Sequence, residues 1–151
     1  WFDYMRENGV YDNTRIILVA DHGRGLYLNW DRVIDNGPDT DFFFPLLMVK
    51  DFNAKGFSFS DTFMTTADVP TLATSGLIDN PTNPFTGNAI NANAKYDRPF
   101  YAFMSYDWDT SKNNGNQFFP GTWYRVDNQN ARDKRNWVMV GENTVLPDAL
   151  R

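Results

Sequence analysis

Apolar and polar positions follow three rhythms along this chain, and each predicts a different element. In Trp1 to Asn8, Phe2 and Met5 fall three apart with charged residues between them, and Asn8-Gly9 follows. That spacing predicts the tail of an amphipathic helix with its stop. Tyr11-Asp12-Asn13-Thr14 supplies turn chemistry, and Arg15-Ile16-Ile17-Leu18-Val19-Ala20 is then a continuous apolar, β-branched run of strand length. Because it does not alternate, the run predicts a strand buried on both faces, as in a parallel strand flanked by helices.

Asp21-His22-Gly23-Arg24-Gly25 follows at once, and a polar, turn-rich loop extends to Asp41. Long loops inside compact domains often carry function. Phe42 to Val49 is a second apolar run, interrupted by Pro45, and predicts an edge strand or one that starts after the proline. Between Asp61 and Gly76, Asp68 is placed to cap a short helix with Pro70 in its first turn and Gly76 to stop it. Leu77 to Ala94 reads as a surface loop. Pro99 to Tyr106, Thr122 to Val126 and Trp137 to Val140 read as three strands of a small antiparallel sheet. The expected fold class is α/β: part of a mostly parallel sheet with flanking helices, over residues 1–80, followed by a loop and a small C-terminal antiparallel subdomain over residues 81–151.

Composition narrows the function classes. The chain has 151 residues, 42% hydrophobic and 22% charged, the balance of a folded globular domain. Fourteen Lys and Arg against nineteen Asp and Glu give a net charge of −5, the wrong sign for binding nucleic acid by neutralising phosphates. With no cysteine, disulfides, thiolate metal sites and cysteine nucleophiles are excluded, and the compartment stays open. No apolar run approaches the roughly 20 residues that span a bilayer. The chain starts at Trp1-Phe2 without Met and already inside a helix-like pattern, as expected of a segment of a longer protein.

Residues directly after a buried strand are the first place to look for a site in an open α/β sheet. Asp21 and His22 hold that place. A carboxylate and an imidazole suit Zn or Mn, and Gly23 eases the turn that lets two adjacent side chains converge on one point. The ordinary alternative is that Asp21 caps the following turn and His22 makes a strand-end hydrogen bond. His22 is the only histidine, so an all-histidine site is excluded.

The whole stretch Gly9-Val10-Tyr11-Asp12-Asn13-Thr14-Arg15-Ile16-Ile17-Leu18-Val19-Ala20-Asp21-His22-Gly23 resembles the alkaline phosphatase superfamily, especially its sulfatase-like and lipoteichoic-acid-synthase-like phosphotransferase branches. Phe44-Pro45-Leu46-Leu47-Met48-Val49 looks like that family's next strand, and Thr66-Ala67-Asp68-Val69-Pro70-Thr71-Leu72 like its following helix start. The resemblance covers roughly the first 80 residues. It implies that Asp21 and His22 are ligands of a divalent metal (Mn, Zn, Mg or Ca). It also implies that the nucleophile and remaining acidic ligands lie upstream in the N-terminal remainder of a parent chain, so that no catalytic nucleophile is expected here. The implied substrate is a phosphate or sulfate ester, the implied location extracytoplasmic, and the segment alone is expected to be inactive. Arg24 is a candidate for binding an anionic substrate oxygen, with a solvated surface arginine as the alternative.

Other patterns offer rivals. Gly23-x-Gly25 would need a glycine at position 28 for a dinucleotide fingerprint, and Leu28 stands there. Asp31, Asp35, Asp39 and Asp41 lack the spacing and closing Glu of an EF-hand loop. A non-catalytic carbohydrate- or protein-binding module would use Tyr101, Tyr106, Trp108, Trp123, Tyr124 and Trp137 as stacking surfaces, although aromatics at strand spacing are more often core. Asp107 and Asp109 flank Trp108 as a candidate carboxylate pair. The basic cluster Arg125, Arg132, Lys134 and Arg135 is diluted by Asp127 and Asp133 and reads as a solvated turn.

Overall fold

The computed structural model describes residues 1–26, 30–105 and 119–150. The chain divides into two compact units, one made of Trp1–Gly23 and Phe44–Ala92, the other of Arg24–Phe43 and Asn93–Arg151.

In the first unit, helix α1 (Phe2–Glu7) leads through Gly9, at φ +68°, to strand β1 (Ile16–Val19). β1 pairs antiparallel with β2 (Leu47–Lys50), in register from Ile16 opposite Lys50 to Val19 opposite Leu47. Two cations tie this ribbon to its surroundings. The Lys50 ammonium donates to the carbonyls of Tyr11 and Thr14, the latter at 2.9 Å, and sits 4.3 Å from the centre of the Tyr11 ring. The Arg15 side chain is only 10% exposed and donates to Leu72 O at 2.9 Å, Ala73 O at 3.2 Å and Ser75 O at 2.7 Å. Those carbonyls end helix α2 (Val69–Thr74), whose last turn lacks intrahelical donors for them. Arg15 also pairs with Asp51 at 2.9 Å, so one guanidinium fixes a helix end beside a strand end.

The Asp68 carboxylate does not cap α2. It turns back to accept from Thr65 N–H at 2.7 Å, closing the short turn that precedes the helix. Pro70 lies in the first turn of α2, and Gly76, at φ +71°, follows its end.

The expected mostly parallel α/β sheet with flanking helices is not what forms. Both sheets are antiparallel, one of two strands and one of three. A parallel partner for β1 would need a crossover connection, usually a helix. Between β1 and β2 the described chain forms only short 3-10 turns, at Trp30–Arg32 and Thr40–Phe43, and β2 returns antiparallel after Pro45. Nor is β1 buried on both faces: Ile16 and Ile17 are half-buried, whereas Leu18 and Val19 are exposed.

The second unit is built on an antiparallel sheet of β3 (Phe100–Met104), β4 (Gly121–Val126) and β5 (Trp137–Thr144), in the order β3-β4-β5. Its core is Ala102, Tyr124, Val126 and Trp137, with Ile34, Phe43, Phe100 and Ala131 packed against them. Trp137 organises this cluster. Its ring meets Phe43 at 4.9 Å, Tyr124 at 5.9 Å and Phe100 at 6.4 Å, in tilted or edge-on arrangements that aromatic quadrupoles favour. Its indole N–H donates to Ala131 O at 2.8 Å, so this polar atom of a buried side chain is satisfied. Gly121 admits close strand packing: a Cβ there would strike Met104 O and the Phe103 ring.

The turn before β5 is held by Asp133, whose carboxylate accepts from the Arg135 guanidinium at 2.7–3.1 Å and from Arg135 N–H at 3.0 Å. The side-chain bonds first, and the backbone bond second, hold the Asp133 carboxyl down to about 2 from an ordinary 3.8.

Two predictions follow from this unit. Trp137→Ala empties the aromatic cluster and should lower stability by roughly 3–5 kcal/mol, read by urea unfolding, whereas Trp137→Phe should cost less by keeping ring contacts. A folded-state pKa below the unfolded value means that the Asp133 contribution is complete above the unfolded value and is lost as pH falls toward about 2. Arg135→Gln should move the Asp133 carboxyl upward in a 13C NMR titration; an unmoved midpoint would assign the shift to some other group.

Candidate metal half-site

The β1–β2 ladder ends where Ala20 N–H donates to Leu46 O at 3.0 Å, and the next two residues leave the sheet. With no cross-strand partner to separate them, Asp21 and His22 turn toward each other. His22 N–H donates to Asp21 Oδ1 at 2.9 Å, and His22 Nε2 lies 3.8 Å from the same oxygen. His22 Nδ1 lies 2.6 Å from Gly23 O. A carbonyl only accepts, so Nδ1 donates this bond, and in the neutral ring Nε2 is the nitrogen that keeps a lone pair. This is the outer hydrogen bond that typically orients a metal-ligating imidazole.

Both side chains stand in solvent, Asp21 at 90% and His22 at 64% exposure. Neither group is engaged in a buried hydrogen-bond network. The donor set fits a borderline divalent ion, since Zn takes carboxylate oxygen and imidazole nitrogen together. It supplies half a shell at most: among the described residues no group of three or more His, Asp or Glu is placed to hold a metal. Arg24 is exposed and belongs to the second compact unit, whereas Asp21 and His22 belong to the first.

The rival patterns resolve into structural roles where they are described. Asp41 pairs with Arg32 at 2.5 Å and Asp35 with Lys134 at 3.2 Å. Asp39 is 1% exposed and accepts from Asp41 N–H at 2.9 Å, so these loop acids do not converge on a cation. Arg125 is bidentate to Asp127 at 2.8 and 3.0 Å, which together with the Arg135 pair to Asp133 dissolves the basic cluster into local ion pairs. Tyr124 and Trp137 are core, while Tyr101 and Trp123 lie on the opposite face of the sheet, half-buried. Leu28, Tyr106, Asp107, Trp108 and Asp109 lie outside the described residues.

Sequence reasoning missed Arg15 and Lys50 as anchors of the ribbon. The available signal was position: one cation on each strand stands at the same end of the pairing register, beside turns whose carbonyls need donors. It also missed the buried pair Asp39-Thr40, which no periodicity announces. No family model, curated protein or solved structure matches this chain, so the geometry of Asp21 and His22 is what a functional reading has to stand on.

Proposed function

We propose that this chain contributes two ligands, Asp21 and His22, to the divalent metal site of a hydrolase or transferase acting on phosphate or sulfate esters. The nucleophile and remaining ligands come from outside these 151 residues. One observation carries the reading: an exposed carboxylate and an exposed imidazole, adjacent in sequence, hold Oδ1 and Nε2 3.8 Å apart, with Nδ1 already engaged by Gly23 O. The resemblance of Tyr11-Asp12-Asn13-Thr14, the β1 run and Asp21-His22-Gly23 to the sulfatase-like and phosphotransferase branches supplies the ester class.

A bound divalent ion would act there as a Lewis acid on an ester oxygen. The chain's own part is to hold the donors. Asp21 brings negative charge, the Gly23 carbonyl fixes the His22 tautomer, and the ladder ending at Ala20 keeps both residues beyond the sheet. Arg24 is a candidate for an anionic oxygen of the substrate, on chemistry alone.

The chain should bind Mn2+ weakly, broadening the His22 imidazole resonances by NMR, and Asp21→Asn should abolish that broadening. It should not hydrolyse nitrophenyl phosphate or sulfate with metal added. Turnover by the purified chain would show that the nucleophile is present after all, and unbroadened His22 resonances would defeat the ligand assignment.

A second reading is supported by the face of the C-terminal sheet opposite its core, where the half-buried Trp123 and Phe103 rings meet at 4.8 Å and Tyr101 lies across from the ion-paired Arg125. Such a face suits a carbohydrate-binding module, in which aromatic rings stack on sugar. It predicts that oligosaccharide quenches or shifts tryptophan fluorescence and that Trp123→Ala removes the response; a flat titration across neutral and acidic glycans would count against it.

A further inference from the structure

Asparagine followed by glycine is a pair at which a chain can modify itself without an enzyme, because a residue lacking Cβ lets its backbone nitrogen approach the preceding side-chain amide. Two such pairs lie among the described residues, Asn8-Gly9 and Asn36-Gly37, and both asparagines are exposed. We propose that Asn8 is a deamidation site of the folded chain, that the fold protects Asn36, and that conversion of Asn8 loosens helix α1.

The chemistry exchanges one amide bond for another and then hydrolyses it. Gly9 N gives up its proton to solvent and bonds to Asn8 Cγ, while the bond from Cγ to Nδ2 breaks and Nδ2 takes protons from water and leaves as ammonia. Water then opens the cyclic imide. Opening at Cγ restores the main chain with aspartate in place of asparagine, and opening at the main-chain carbonyl leaves isoaspartate, with the chain running through the former side chain. In sum, water is consumed and ammonia released.

The glycine nitrogen must first leave its hydrogen bond, and the two pairs differ in what that release breaks. Gly9 N–H donates to Arg6 O at 3.1 Å, and Asn8 Nδ2 donates to Tyr4 O at 2.8 Å. Both bonds belong to the end of α1, a helix of six residues with none buried. A helix that short is marginal by its own hydrogen bonds, and exposed ends open at low cost. Gly37 N–H donates to Ile34 O at 2.8 Å, in a turn that Ile34 N–H closes on Pro38 O at 3.0 Å and that the Val33–Asp39 bridge flanks. Pro38, Asp39 and Thr40 are buried, Ile34 packs against the core, and a Cβ on Gly37 would lie 3.0 Å from the Tyr124 hydroxyl. Releasing Gly37 N therefore disturbs the core around Tyr124, whereas releasing Gly9 N frays an exposed helix end.

The product changes that end in turn. An amide donor becomes a carboxylate, which only accepts, opposite the Tyr4 carbonyl. A negative charge at a helix C-terminus also opposes the macrodipole. Isoaspartate adds a methylene to the main chain just before the turn at Tyr11, whose carbonyl Lys50 holds. Each change favours the open end over the closed one.

The test is tryptic peptide mapping of the 151-residue chain after incubation at mildly alkaline pH, in native buffer and in unfolding urea, with aspartate and isoaspartate located by mass spectrometric fragmentation. Asn8 and Asn36 fall in separate peptides, 7–15 and 33–50; Asn114-Gly115, outside the described residues, falls in another. In native buffer Asn8 should convert at least about tenfold faster than Asn36, and in urea the two rates should agree within about twofold. Amide exchange in native buffer should be faster at Gly9 than at Gly37, and Asn8→Asp should speed it further at Gly9. Asn36 converting as fast as Asn8 in native buffer would overturn the protection by the fold. A tenfold ratio that persisted in urea would do the same, and an Asn8 that converts only in urea would remove it as a site of the folded chain.

Discussion

The hydrogen bond from Ala20 N–H to Leu46 O is the point on which the functional geometry turns. While a strand is paired, successive side chains point to opposite faces, and an Asp-His pair within β1 would be divided by the sheet. The ladder stops at Ala20, one residue early enough for Asp21 Oδ1 to accept from the next amide and for the His22 ring to swing to within 3.8 Å of it. A ladder longer by two residues would abolish the half-site without changing a single donor. The arrangement is therefore set by where pairing ends.

The ribbon that carries this end is short, and its anchors lie at the far end. Four residue pairs of antiparallel ladder would be marginal in water alone. Lys50 satisfies carbonyls of the turn before β1, and Arg15 satisfies those at the end of α2, the Thr14 and Leu72 bonds among them being half-buried. Asp51 neutralises Arg15 and is itself drawn below the ordinary carboxylate range, first by the Phe52 amide and then by Arg15. Polar anchoring at one end thus leaves the other end free to present donors to solvent.

How much of this was legible in the sequence differs from element to element, for physical reasons. The helix at Phe2, the strand after Arg15, the strand after Pro45 and the three C-terminal strands all announce themselves by local pattern, because period and turn chemistry act over a few residues. Strand direction does not, because it depends on the path between strands, and the described residues between β1 and β2 form no crossover helix. The same limit explains the misjudged burial of Leu18 and Val19. A continuous apolar run reports what a strand would bury if it were covered, not whether anything covers it. In the C-terminal sheet, alternation says that Trp123 and Tyr124 face opposite ways, yet only the fold says that the core takes Tyr124. For the candidate site, residue type and place after a strand were legible, whereas convergence was not, since it arises from the ladder's end and the Gly23 carbonyl.

The two units also show why an acidic chain can carry so little free charge where it folds. Around β5, cations are spent locally: Arg125 on Asp127, Arg135 on Asp133, Lys134 on Asp35. Exposed pairs of this kind add little stability each, but they leave that stretch electrically quiet, as a packed aromatic core beneath it requires only shape. Around β1 the outcome is the reverse. Arg15 and Lys50 are committed to backbone carbonyls at one end of the ribbon, and Asp21, beyond the other end, stands in solvent with its Oδ1 on the His22 amide.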